Sequence, residues 1–585
     1  MNRSVKIFLH LTPQSRSIRF APLLTMAAAL AACGGGGSDP VMPPVAATSL
    51  TLSGTAATGA ALASRPVEAK CAAGTSTAAT ATTQDDGRYS LPISGGVLPC
   101  VLRVTAADGT VLHSLASGSG SSATANITIA SELVMAYLVG GAPAGAFSSF
   151  DANILTDTQV QAALGAVGDT LKAAGVDVTA IGNLLTAPLV AAHGSTAGNE
   201  FDKALDALKA RLDASGTTLA ALADRVAKGS PNLPPSALST TASLPAAMLL
   251  QPAAANCAAL RSGRYRVVVN AISGDNTPAT EVVTIDAQKL IATNADGSVS
   301  QLTANGACRY RTPRNGDVVV SQAGVIVAQV DSGAPGSPLK GAMLFAEQTH
   351  PLASLAGDWN LIGLDRTEDN GPIHLTSATG TISTTGQLSA ITHCDNVLDC
   401  VSPTGADLPK IAITVNAAGG FDFTNTSNTP VDVDRLFAYR SGGGELMWVL
   451  LSKNGHIQFA TRKAAATLPT AGRVSESFNL TLTPQYTAPF AIGESKNTIT
   501  SVDATAASFL REAVTNLGTG VSRPEKFRIN QPRDGYSRRS AELVTGSDGN
   551  ASTVSDFVTL SLRGTGVVPV ALLANNQLIL SVGKP

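Results

Sequence analysis

The sequence predicts a mainly β, multidomain protein: an N-terminal β-sandwich, a small α-helical domain, and C-terminal antiparallel β-barrel or meander modules. Three observations carry this reading. Short β-favouring runs broken by Gly, Asp and Pro fill residues 48–125 and nearly everything after 257. Apolar residues at helical spacing are confined to the stretch between them. Three strands with a polar or glycine start and an early aromatic, GRYRVVV at Gly263, GDWNLIG at Gly357 and ESFNLTL at Glu476, open comparable stretches late in the chain. With 585 residues, 44% of them hydrophobic, there is material for three or four cored domains.

The first 32 residues have a basic start (Arg3, Lys6, Arg16, Arg19) without an acid, then the apolar run APLLTMAAALAA. That run is shorter than a spanning helix needs and has the layout of a secretory signal peptide. Leu30-Ala31-Ala32-Cys33 resembles the lipobox of bacterial lipoproteins. The resemblance implies cleavage before Cys33, a lipid on its thiol and, with Gly rather than Asp at position 34, sorting to the outer membrane. The competing reading is an ordinary signal peptide with an incidental cysteine. Against it, the lipidated-cysteine and tether segment 33–47 continues after Cys33 as GGGGSDPVMPPVAA (34–47), too rich in Gly and Pro to build a core. An acyl anchor makes the membrane a partner without spanning it.

Composition fits that address. Charged residues are 14% and aromatics 4% of the chain, and taking the four basic residues of the leader from 40 Lys and Arg leaves 36 against 42 Asp and Glu, near −6. No global basic field exists to hold nucleic acid. Beyond Cys33 the cysteines fall into sequence-local couples, and an oxidising compartment makes Cys71–Cys100, Cys257–Cys308 and Cys394–Cys400 the expected bridges. A zinc site at HCDNVLDC is the rival, but the spacing lacks a CxxC knuckle and no second pair lies near it.

Residues 48–125 read as a small antiparallel sandwich built from SLTL, RPVEAKC, GRYSLPI, CVLRVTA and TVLHSL. Gly59, Val67, Thr83, Asp86, Gly87, Tyr89 and Leu91 stand where the carboxypeptidase-regulatory, or transthyretin-like, pattern places them, and the segment resembles that domain. The resemblance implies a non-catalytic accessory module. Residues 126–232 change period. Thr156 and Gln159 form a capping box ahead of Val160, Leu164, Val167 and Leu171, with Gly175 as the stop. Phe201, Leu205, Leu208 and Leu212 repeat the stripe, and Leu219, Leu222 and Val226 mark a third helix, so a small bundle is expected. Residues 233–256, rich in Pro, Ser and Ala, read as a linker.

Residues 257–467 form one or more barrel-like modules and 468–585 a last β module, read as two or three divergent copies of a meander. GDWNLIG resembles the Gly-x-Trp leading strand of lipocalin-type barrels, which implies that Trp359 plugs a barrel end. A carrier reading places Trp359 and Trp448 near a cavity for a small apolar ligand. A closed barrel also removes exposed sheet edges.

Motifs for chemistry are weak. Ser337-Pro-Leu-Lys340 has S-x-x-K spacing but a proline inside and no K-T-G downstream. His374, His393 and His456 share the β-region with Asp365, Glu368 and Asp369 without spacing logic. LDRTEDNGP and TGSDGNASTVSD cluster oxygens without an EF-hand pattern. Arg523, Lys526, Arg528, Arg533, Arg538 and Arg539 against Glu525 and Asp534 give a local +4, a polyanion or lipid-headgroup contact if they share a face.

The expectation is a non-enzymatic, lipid-anchored outer-membrane protein, facing the periplasm or the cell surface. It uses no cofactor or metal and binds an envelope protein, glycan or lipid. The whole chain resembles uncharacterised bacterial lipoproteins of this modular type. The alternatives are the carrier and an envelope hydrolase built on the scattered histidines and acids.

Overall fold

The computed structural model describes residues 49–585 except 75–78, 150, 270–280, 331–338, 367–370, 428–431, 453–456, 483–491, 516, 518 and 519. The signal segment, Cys33 and the tether lie outside the described residues. The described chain is mainly β with few helices.

Two four-stranded sheets form the N-terminal part. One carries Ser49–Ala57 at its centre, the other Pro66–Ala73 and Val97–Thr105. Strict alternation drives the strand Arg88–Ser94: Tyr89, Leu91 and Ile93 are buried and their neighbours exposed. Gly87, at φ +79, supplies the tight turn before it.

The helices do not stand apart as a bundle, contrary to expectation. Helix α1 (Ile129–Val139) is apolar on every side, and such a helix belongs in a core. It is capped by reciprocal bonds between Thr128 and Ser131, and Glu132 on its buried side accepts from the His113 amide (2.6 Å) and meets His113 Nδ1 at 2.8 Å. A short helix, α2 (Pro143–Ser148), follows. The Val160, Leu164, Val167 and Leu171 stripe of α3 (Asp157–Ala173), the Phe201 to Leu212 stripe of α4 (Glu200–Ser215), and Leu222 and Val226 of α5 (Leu219–Ala227) share one core with both sheets. Both sheets and the helices therefore share one core.

After residue 257 come three antiparallel sheets of one design, in which the leading strand pairs with the last. Gly263–Val269 pairs with Lys340–Ala346, Gly357–Arg366 with Ile457–Arg462, and Val474–Leu482 with Gln577–Gly583. The first two have nine strands each and the third closes as an eight-stranded barrel, with the hairpin Glu542–Thr545 and Ala551–Val554 as an excursion. The second sheet has its ends bridged between Gln387 and Ala412, with the Ile413 amide on the Gly386 carbonyl at 2.8 Å.

A continuous apolar core joins the three, including Tyr265, Phe345, Tyr439, Phe459, Leu480 and Leu580. Leu480 and Leu482 of the barrel press on the first sheet, so closely that a Cβ at Gly341 would lie 2.1 Å from Leu482. Alternation then sends the opposite residues of the barrel strands inward, among them Ser477, Ser495, Arg511, Glu525, Phe527 and Arg539.

Residues 233–256 are a strap rather than a linker. The Gly442 amide donates to Ser243 O (2.8 Å), Ser239 N to Gly443 O (3.0 Å) and Gly564 N to Thr240 O (3.1 Å). A Cβ at Gly442 would sit 2.0 Å from the Leu244 carbonyl, so only glycine admits this approach. Leu244 and Met248 enter the core of the later sheets and Leu250 that of the N-terminal module. Composition hid this because the partners are backbone groups distant in sequence.

All three bridges form: Cys71–Cys100, Cys257–Cys308 and Cys394–Cys400, spanning 29, 51 and 6 residues. Loop-closure entropy makes them worth about 3.5, 4 and 2 kcal/mol respectively. The shortest loop contributes least.

Candidate functional site

Two concavities lie on or beside the second sheet. The larger is an open groove of about 390 Å³ over the outer side of strands Ile373–Ile382 and Leu388–Asp395. Every second residue there is small or hydroxylic: Thr379 faces Thr392, and Thr381 faces Ala390. β-branched polar residues fit a pleated face in contact with water, so the same pattern that makes the strand makes the lining. Thr379 donates to Asn360 Oδ1 (3.2 Å), Thr381 to Asp358 Oδ1 (2.6 Å), and Thr392 and Ser402 hydroxyls bond at 2.8 Å, which fixes the floor. Ser389, Thr404 and Leu408 form the walls, with Lys463 as the one cation among the lining residues.

The smaller, of about 80 Å³, lies between the first and second sheets. Arg266, only 6% exposed, pairs with Glu347 at 2.7 Å and stacks 4.7 Å above Phe437. Arg435 approaches the same ring and donates to Gly419 O at 2.6 Å. These charges are spent on one another, which marks a structural junction more than a vacancy for a charged ligand. His350, hydrogen-bonded to Gln348 at 2.9 Å, is pushed down to about 3 by burial, with help from the Arg440 charge.

This histidine sets a pH dependence. The unfolded chain takes up its proton near the ordinary 6.5 while the fold refuses it until about 3, so between those values the unfolded state binds more protons and stability is lost as the pH is lowered. Urea midpoints taken at successive pH values are expected to lose about 1 kcal/mol per pH unit below about 6. His350→Asn is expected to flatten that component, and an unchanged slope would remove His350 as its source.

The residues singled out from sequence are dispersed. Trp359 and Trp448 are 0% and 2% exposed and pack on each other at 5.6 Å in the interior of the second sheet. Neither lines either concavity, so they are core residues and not cavity markers. The basic cluster is divided: Lys526, Arg528 and Arg538 share the outer side of their strands, with Arg528 directly opposite Arg538, and the other three lie elsewhere. Arg538 forks onto Asp556 (2.7 and 3.2 Å), Arg539 is buried against Glu525 and the Ser555 carbonyl, and Arg523 donates to Ser552 (2.8 Å). Arg533 reaches the second sheet, while Lys526 and Arg528 are exposed. Strand alternation and pairing with far carboxylates leave Lys526, Arg528 and the Asp556-paired Arg538 on the outer face.

His374 and His393 do meet, both at Asp395 Oδ1, at 3.4 and 3.1 Å. The hydroxyls of Thr376 and Ser377 beside them are committed to the Cys394 and Val397 carbonyls. His456, Ser337, Glu368 and Asp369 lie outside the described residues. Asp548, lowered by its bonds from Asn550, closes a surface turn. Among the described residues no group of three or more His, Cys, Asp or Glu is placed to hold a metal, and no helix is long and apolar enough to cross a membrane.

Two features escaped the sequence reading. The groove was visible only as the run TSATGTIST, which any solvated strand can show. The contact of Arg533 with the Cys394–Cys400 bridge spans more than 130 residues and has no local signal.

No protein-family model and no curated protein matches the chain. Among solved structures, a protein of unknown function from the DUF3598 family of Nostoc punctiforme is 10% identical over 40% of this chain and 99% of its own, with a TM-score of 0.14. A mutant of the vaccine antigen transferrin binding protein B from Haemophilus parasuis is 10% identical over 52% of this chain and 61% of its own, with a TM-score of 0.13. Similarity at this level carries no argument about fold or ligand.

Proposed function

We propose that this protein is a non-enzymatic envelope binding module, tethered through a lipid on Cys33, whose hydroxyl-lined groove takes a glycan-type ligand. The groove carries the reading. Its rows of Thr and Ser hydroxyls, pinned by their own hydrogen bonds, offer a pre-organised polar surface matched to a polyhydroxyl chain. Three disulfides support an extracytoplasmic address. The core shared by the three later sheets supports a rigid platform for display. In this reading the two sheets of the N-terminal module are a carboxypeptidase-regulatory-like sandwich and the closed barrel is lipocalin-like in shape but not in cargo. Its inward face carries Arg511, Glu525 and Arg539, a poor lining for an apolar ligand.

Titration calorimetry of the purified chain with oligosaccharides released from peptidoglycan and from lipopolysaccharide tests this. Ala390 is exposed on the groove floor, and Ala390→Trp is expected to weaken binding about tenfold or more while leaving the fold intact. If no oligosaccharide binds, or the variant binds as well as the parent, the groove is not the site. Protease shaving of intact and lysed cells then assigns the membrane face.

A further inference from the structure

Where the second sheet meets the barrel, Arg533 lies against a disulfide. Its Nη1 is 2.6 Å from Cys394 Sγ and 3.0 Å from Cys400 Sγ, and its Nη2 donates to Ser377 Oγ at 2.6 Å. The two sulfurs differ in access. Cys394 is fully buried, whereas Cys400 sits on the short strand Asp399–Val401, all of whose residues are exposed. The turn between them holds Asn396 and Val397 at φ +48 and +72, a region that costs a β-branched residue dearly, and Val397 is completely buried. His374 and His393 lie on the other face of these strands, so the guanidinium is the cation on the sulfurs.

We propose that Cys394–Cys400 is an exchange-active disulfide, opened by a dithiol partner through attack at Cys400. A thiolate of the dithiol attacks Cys400 Sγ, forming a mixed disulfide there and breaking the Cys394–Cys400 bond. The electron pair leaves on Cys394 Sγ, where Arg533 Nη1 stabilises the thiolate. The second thiol of the dithiol then displaces Cys400, leaving the dithiol oxidised and the protein reduced by two electrons, with two protons completing its thiols. The other bridges close longer loops, and the side chains of Cys71 and Cys100 and of Cys257 and Cys308 have no guanidinium contact of this kind among the bonds described. This inference is independent of the groove and its ligand.

Native full-length protein is treated with graded dithiothreitol, quenched with iodoacetamide and mapped by peptide mass spectrometry. Cys394 and Cys400 are expected to be alkylated about tenfold or more faster than the other four cysteines. Arg533→Gln is expected to slow that opening about tenfold, with Arg533→Lys restoring most of it. Glutathione, a monothiol, is expected to be trapped on Cys400 rather than Cys394. Opening of all three bridges at one rate, earlier opening of another bridge, trapping on Cys394, or an Arg533→Gln rate equal to the parent's would overturn the proposal. The order of opening in the unaltered chain decides the matter even if an Arg533 variant does not fold.

Discussion

Replacing Glu525 by alanine is expected to destabilise the protein by about 3–5 kcal/mol, the cost of leaving buried cations without their counter-charge. Glu525 is 4% exposed at its side chain and faces inward in the closed barrel. One oxygen pairs with Arg511 at 2.6 Å and the other with Arg539, whose side chain is 8% exposed. Burial pushes Arg539 down to about 10 in spite of Glu525. Both arginines also lie over phenylalanine rings, Arg511 at 4.4 Å on Phe527 and Arg539 at 4.0 Å on Phe557, so neither can swing to water without unstacking. Removing the carboxylate strands two positive charges side by side. Circular dichroism in urea measures the shift. Tryptophan fluorescence says how far it spreads, because both tryptophans belong to the second sheet. The apolar core common to the three sheets predicts that both signals move together. A fluorescence midpoint unmoved while the dichroism midpoint falls would mean that the barrel unfolds alone.

What could be read from the chain was local. The leading strands at Gly263, Gly357 and Val474 and the capped helix after Thr156 announce themselves by alternation, a glycine or a capping box within a few residues. Helix α1 was missed because IASELVMAYLV has no polar face from which a period can be taken. The strap at 233–256 was missed because its function is carried by backbone groups that meet Gly442, Gly443 and Gly564 far along the chain. Net charge misled at 523–539. Successive strand residues point to opposite sides, so a run of arginines divides between barrel interior, solvent and the neighbouring sheet, and each buried one finds its partner through the fold. The groove had no reading in the sequence, because its concavity depends on the wall at 403–408.

The two tryptophans, equivalent in sequence terms, are expected to respond differently to the same substitution. Trp359→Ala removes a side chain with no exposure at all, packed at a tilt against Trp448 and covered by Arg462 at 4.1 Å, and is expected to cost about 3–5 kcal/mol. Arg462, itself pushed down to about 10 by burial, is held there by the Ser354 and Ala356 carbonyls, so the guanidinium cannot collapse into the space left. The phenylalanine variants separate packing from hydrogen bonding. Trp359 Nε1 donates to Leu355 O at 2.8 Å, and Trp359→Phe leaves that buried carbonyl without its donor, adding about 1–3 kcal/mol to the loss of volume. Among the described residues Trp448 Nε1 is buried with no hydrogen-bond partner, so Trp448→Phe discards an unsatisfied donor and offsets part of its packing loss. The order of urea midpoints is therefore expected to be parent, Trp448→Phe, Trp359→Phe and lowest Trp359→Ala. Equal midpoints for the two phenylalanine variants would mean that the Leu355 bond contributes nothing, and that the strand opened by Gly357 is held by ring packing alone.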